Sequence, residues 1–186
     1  MGQLTLLLGG ARSGKSTLAE KMAKKRAQRI LYIATAEALD DEMKMRIQKH
    51  RQQRPADWKT VEIPTGVGKA LKVETPDADL ILLDCLALLV SNVIMKSTKD
   101  FDHPDEEELQ ESVDAEIAAL IRTIDSSPAD WIIVSNEVGM GLVPTYPLGR
   151  VYRDLLGRAN QRLASKAEES YLVVAGMALP LHEISI

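Results

Sequence analysis

"LLLGGARSGKST", residues 6–17, is the stretch that decides the fold. An apolar run, Leu4–Leu8, breaks on Gly9 and Gly10 and closes on Gly14-Lys15-Ser16-Thr17. A Gly-x-x-x-x-Gly-Lys-Ser spacing between a strand and a helix is the phosphate-binding loop. Its glycines let the backbone curl until several N–H groups point at one phosphate, and the helix dipole adds partial positive charge. In that geometry Gly9, Gly10, Ala11, Arg12, Ser13, Gly14, Lys15, Ser16 and Thr17 form the cradle. Lys15, pointing into a solvent-filled site, reaches the β- and γ-phosphates of ATP or GTP, and the Ser16 hydroxyl ligates Mg²⁺. The bland alternative is a glycine-rich turn without a ligand; the flanking strand and helix argue against it.

Working outward, short apolar runs alternate with longer amphipathic ones. Leu4–Leu8, Ile30–Ala34, Leu80–Leu83, Trp131–Val134 and Tyr171–Val174 read as buried strands of a mostly parallel sheet. Helical patterns cover Lys15 to about Arg26, Asp41–Gln53, Glu106–Ile124 and Leu148–Glu168. Asp105 and Glu108 stand in capping-box spacing, and the last helix aligns Val151, Leu155, Ala159 and Leu163 on one stripe. The alternation predicts a doubly wound α/β fold in one domain, residues 1–186, with Ser97–Pro104 as a mobile loop.

Two acids end buried strands, where open α/β sheets bind ligands. Asp84 closes Leu80–Leu83 and is expected to hold Mg²⁺ beside Ser16; a turn-forming aspartate is the alternative. Glu137 follows Trp131–Val134 in Asn136-Glu137-Val138-Gly139 and reads as a base, a second metal contact or a solvent-facing carboxylate. The helix "DDEMKMRIQKHRQQRP", residues 40–55, places Met43, Ile47, His50 and Arg54 on one face with Arg46 beside them. Pro55 ends it. Two readings stand for His50: a half-buried histidine with a hydrogen-bonded partner, or a nucleophile between two arginine clamps. A neutral imidazole, of pKa about 6.5, can attack phosphorus near neutral pH while arginines hold phosphate oxygens.

The bulk numbers bound the partners. A net charge of −4, with one Phe and two Trp, supplies neither the basic footprint nor the stacking platforms of a nucleic-acid binder. Cys85 is the single cysteine, so no internal disulfide forms and a reducing, cytoplasmic setting is expected. Leu4–Leu8 is too short for a signal peptide or a membrane span.

Several blocks together resemble a known family. They are Gly9–Ser16, Tyr32-Ile33-Ala34-Thr35-Ala36, Asp40-Asp41-Glu42-Met43, Arg46–Pro55, Asn136–Gly141 and Gly157–Ala164. The chain resembles the bifunctional adenosylcobinamide kinase/adenosylcobinamide-phosphate guanylyltransferase family of cobalamin synthesis over nearly its whole length. The resemblance implies a recombinase-like phosphate-binding-loop fold and a homotrimer. It implies phosphorylation of the aminopropanol hydroxyl of adenosylcobinamide, then transfer of GMP from GTP to adenosylcobinamide phosphate with release of pyrophosphate. It also implies that His50 carries GMP covalently between the half-reactions. A simple small-molecule kinase, with His50 structural, and a non-catalytic ATP switch or assembly protein are the competing readings. Kinase chemistry breaks the β–γ bond and guanylyl transfer the α–β bond, so one cradle must serve two placements of nucleotide or acceptor.

Overall fold

A computed structural model describes residues 2–37, 44–45, 55, 57–73 and 77–182. The expected strands are all present. These are β1 (Leu4–Leu8), β2 (Ile30–Ala34), β4 (Leu80–Asp84), β5 (Asp130–Val134) and β6 (Glu169–Val174). Four of them are buried along nearly their whole length, because apolar runs at successive positions need cover on both faces. The fifth, over Tyr171–Val174, is only partly buried, with Val174 exposed. Two short strands, β3 (Lys59–Glu62) and β7 (Met177–Pro180), lie at the two edges and were not anticipated. The helices are α1 (Lys15–Arg26), α2 (Val67–Val73), α3 (Leu86–Ser97), α4 (Glu106–Ser126) and α5 (Pro147–Ala164). The helix expected over Asp41–Gln53 lies outside the described residues, except for Lys44 and Met45.

The sheet runs β3-β2-β4-β5-β1-β6-β7, parallel throughout except for β7, which pairs antiparallel with β6. From β1 the chain crosses leftward to β2; from β3 onward it returns rightward through β4 and β5 to β6. Right-handed crossovers put helices of opposite travel on opposite faces. Accordingly α1 packs on β1, β4 and β5, while α4 packs against α2, α3 and α5. The doubly wound α/β fold expected from the sequence is the one adopted. The neighbours β1 and β5 leave the sheet in opposite directions, so the crevice between their carboxyl ends is the switch point where such sheets take ligands.

Local chemistry sets the boundaries. Asp105 caps α4 by accepting from the Glu107 and Glu108 N–H groups, but Glu108 does not return the bond, since its carboxylate takes Lys99 Nζ at 2.7 Å. Residues 97–104 are a built turn: Asp100 Oδ1 accepts from the Asp102 and His103 N–H groups. The α5 stripe is buried as expected, and a side chain such as Leu155 or Leu163 contributes about 1.5–3 kcal/mol there. This helix stops four residues before Glu168, which is drawn into the sheet: its N–H donates to Leu4 O at 3.0 Å and its Oε2 accepts from Leu4 N at 2.6 Å.

Candidate active site

The loop after β1 is held from both sides. On one side Glu137 N donates to Gly9 O at 3.0 Å, extending the β1–β5 ladder past Ser135 N→Leu7 O at 2.9 Å. On the other, Gly176 N, in the β6–β7 turn, donates to Ser13 O at 2.8 Å. These neighbours press close enough to demand glycine at two motif positions. A Cβ on Gly9 would stand 2.3 Å from Val173 O, and one on Gly14 3.1 Å from Gly176 Cα. Gly14 also caps α1 with φ 98°, a left-handed conformation that costs glycine little.

The start of α1 is prepared for an anion. No side chain caps it, no acid stands in its first turn, and Lys24, Lys25 and Arg26 occupy its last. The uncapped N–H groups and the positive dipole end therefore face the loop. Lys15 departs from the expectation of a lysine in solvent: it is only 7% exposed, and its Nζ donates back to Gly10 O at 2.7 Å. Burial lowers its pKa, against the opposing pull of the Asp84 carboxylate. Arg12, with φ 57°, and Ala11 are exposed at the tip, and the Ser13 hydroxyl is buried without a protein partner. Ser16 and Thr17 follow Lys15 in the first turn of α1.

Asp84 stands at the carboxyl end of β4, paired with Ala34 and Val134, at the same edge. Tyr32 donates its hydroxyl to Asp84 Oδ2 at 2.8 Å, and the carboxylate is near enough to act on the Lys15 ammonium. The Asp84–Cys85 peptide is cis. Below it, Thr35 Oγ1 accepts from Cys85 N at 2.8 Å and donates to Cys85 O at 2.7 Å. Asn92, buried in α3, ties Thr35 O and Pro64 O with one amide nitrogen, at 2.7 and 3.0 Å. Burial pushes the Cys85 thiol up to about 12, so it stays neutral and unreactive.

Glu137 is partly exposed, with Oε1 accepting from Gly139 N at 2.6 Å. The structure therefore brings the loop, Lys15, Asp84 and Glu137 to one sheet edge. His50, Arg46 and Arg54 lie outside the described residues. Sequence reading missed Tyr32, Thr35, Asn92, Ser135 and Asn160, all of which support the site from beneath. Asn92 and Asn160 carried a signal, since each is a polar residue inside a buried helical face.

The fit to Mg²⁺ is a matter of donor type. The Ser16 hydroxyl and Asp84 carboxylate are hard oxygen ligands, and Mg²⁺ usually takes one or two such groups plus phosphates and water. The described residues contain no cluster of three His, Cys, Asp or Glu side chains. No helix among the described residues is long and apolar enough to cross a membrane.

Comparison with known proteins places this edge in context. The family described as cobinamide kinase / cobinamide phosphate guanyltransferase matches residues 5–181. The chain is 41% identical over 180 residues to the bifunctional adenosylcobalamin biosynthesis protein CobU of Escherichia coli (strain K12), covering 96% of this chain and 99% of that protein. It is 40% identical over 176 residues to the corresponding CobP of Pseudomonas aeruginosa, covering 95% of each. Among solved structures, the RadB recombinase aligns with 92% of this chain and 74% of its own, at 16% identity and a TM-score of 0.49. With its phosphate cradle at the switch point and two such relatives matched from end to end, the chain belongs to the cobinamide kinase / cobinamide phosphate guanyltransferase family.

Proposed function

We propose that residues 1–186 act as one domain that phosphorylates adenosylcobinamide on its aminopropanol hydroxyl and then joins GMP to that phosphate. The observation that carries this reading is the Lys15 ammonium, buried against Gly10 O at the start of an uncapped helix, with Asp84 beside it and Glu137 bonded to the same loop. In the kinase step, Lys15 and the α1 N–H groups hold the β- and γ-phosphates of ATP or GTP and stabilise charge on the departing diphosphate. Glu137 orients or deprotonates the acceptor hydroxyl. Ser16 and Asp84 would hold Mg²⁺, which would supply charge neutralisation on the phosphates.

In the second step an imidazole nitrogen of His50 attacks the α-phosphorus of GTP, the α–β bond breaks, and pyrophosphate leaves from the cradle. A phosphate oxygen of the corrinoid then attacks the same phosphorus and breaks the phosphorus–nitrogen bond, giving adenosylcobinamide-GDP and free histidine. Arg46 and Arg54 clamp the transferring phosphate. We assign the chain a homotrimeric state, supported by exposed apolar side chains at Met140, Leu142, Val143 and Tyr146 and at Met177 and Leu179. Patches of this kind mark interaction surfaces.

The test is incubation with GTP labelled at the α-phosphate. An acid-labile, base-stable adduct on the peptide containing His50 is expected, absent from His50→Asn. Undiminished labelling of His50→Asn rejects His50 as the carrier, and no adduct at all favours a simple kinase.

A further inference from the structure

We infer that Asn160, in the middle of α5, is a positioning residue that sets Glu137 against the phosphate loop. This rests on the reading of Glu137 as the group that orients or deprotonates the acceptor hydroxyl. Asn160 is 5% exposed and sits on the stripe α5 buries, between Leu156 and Leu163. Its one amide makes two bonds to consecutive residues where β5 leaves the sheet. Ser135 Oγ donates to Asn160 Oδ1 at 2.6 Å, and Asn160 Nδ2 donates to Asn136 O at 3.0 Å. A backbone carbonyl can only accept, so the amide nitrogen must face Asn136; the Ser135 hydroxyl, itself fully buried, must then donate. Neither bond can be exchanged for the other.

The next residue is Glu137. Its N–H continues to Gly9 O, and its carboxylate is turned by Gly139 N. Residues 135–137 are thereby fixed by three partners: β1 through Leu7 O and Gly9 O, α5 through Asn160, and their own turn through Gly139. Of these, only the Asn160 clamp comes from a side chain outside the loop and its strands. A buried amide with both its oxygen and its nitrogen engaged favours one backbone path, because a shift leaves a donor or an acceptor unpaired. Without it the end of β5 has one ladder bond on each side of Asn136 and can slide relative to Gly9. A displacement of about 1 Å at a reacting group can cost as much as 100-fold in rate.

The test is a double-mutant cycle of Asn160→Leu and Glu137→Gln, read as kcat and KM in both reactions, with GTP affinity and Tm alongside. Glu137→Gln is expected to lower kcat by about 100-fold or more in the step it serves. Asn160→Leu, close to isosteric, is expected to lower the same kcat by about tenfold or more, with KM for GTP within about twofold. In the Glu137→Gln background it is expected to cost nothing further. A structural role alone would lower Tm, and its kinetic effects would add to those of Glu137→Gln. Losses that multiply, or a kcat left unchanged by Asn160→Leu, overturn the inference. An unimpaired Glu137→Gln overturns the reading beneath it as well. Should Asn160→Leu fail to fold, Ser135→Ala, which removes one bond of the clamp, takes its place in the same cycle.

Discussion

Replacing Gly9 by alanine adds one methyl group where the structure has no room for it. The new Cβ would lie 2.3 Å from Val173 O on β6 and 3.0 Å from Ser13 Oγ. The serine hydroxyl can rotate, but the carbonyl belongs to a strand paired with β1 over Thr5–Leu8. Either β6 or the phosphate loop must therefore move by more than half an ångström. Overpacking of this kind costs about 1–3 kcal/mol, and an alanine at φ 154° adds about 1–3 kcal/mol of backbone strain. For a chain of 186 residues each kilocalorie lowers Tm by about 2–4 °C, so Gly9→Ala should melt roughly 4–24 °C lower. Gly10→Ala is the control, because nothing lies within 4 Å of its added Cβ. Its Tm should stay close to that of the parent chain. Calorimetry of both variants without nucleotide makes the comparison, and isothermal titration with GTP should show the greater loss of affinity for Gly9→Ala. Equal melting temperatures for the two variants would refute the close approach of β6 to the loop.

Three further outcomes follow from individual contacts. Tyr32→Phe removes the hydroxyl that donates to Asp84 Oδ2, costs about 0.5–1.5 kcal/mol, and should change the Mg²⁺ concentration needed for half-maximal turnover; an unchanged metal titration would detach Asp84 from the metal. Asn92→Leu strands the Thr35 and Pro64 carbonyls, so chemical denaturation should report a loss of about 2–4 kcal/mol, and a loss under about 0.5 kcal/mol would contradict the burial of that network. Glu169 accepts from Arg26 at 2.6 Å, which holds its carboxyl below the ordinary 4.5; its contribution is present above that value and fades as pH falls through the lowered one. With the carboxylate 39% exposed, Glu169→Gln should cost less than about 1 kcal/mol at pH 7, and the difference from the parent should vanish in acid.

What the sequence made legible was whatever local pattern alone determines. Strands β1, β2, β4 and β5 stood out because each is buried on both faces and reads as a continuous apolar run. Helix α3 did not, because Leu86–Ile94 carries straight on from β4, and a helix buried nearly all round has no polar face to reveal its period. The edge strand β3 was hidden for the opposite reason, and β7, four residues ending on Pro180, is too short to show a pattern. Lys59-Thr60-Val61-Glu62 has no apolar run, and pairing with β2 alone makes it a strand. At the candidate site, the shared sheet edge of the loop, Asp84 and Glu137 was legible because strand ends and glycine spacing are local signals. Their supports were not, since Tyr32 meets Asp84 across 52 positions and Asn160 meets Ser135 across 25. The solvent-facing Lys15 was a misreading: its own loop supplies, in Gly10 O, a partner that draws the ammonium inward.

That one cradle serves both reactions is the claim most exposed to a single measurement. Lys15→Met keeps an unbranched apolar stem as long as the lysine's four carbons and lacks the ammonium, which is buried at some cost, so the fold should be retained. GTP labelled at the γ-phosphate reports the kinase step on adenosylcobinamide, and GTP labelled at the α-phosphate reports guanylyl transfer to adenosylcobinamide phosphate. Both transfers should fall together, by about 100-fold or more, in a protein whose Tm is unchanged or raised. Either transfer proceeding near the parent rate would mean that a second nucleotide site exists and that the single cradle is wrong.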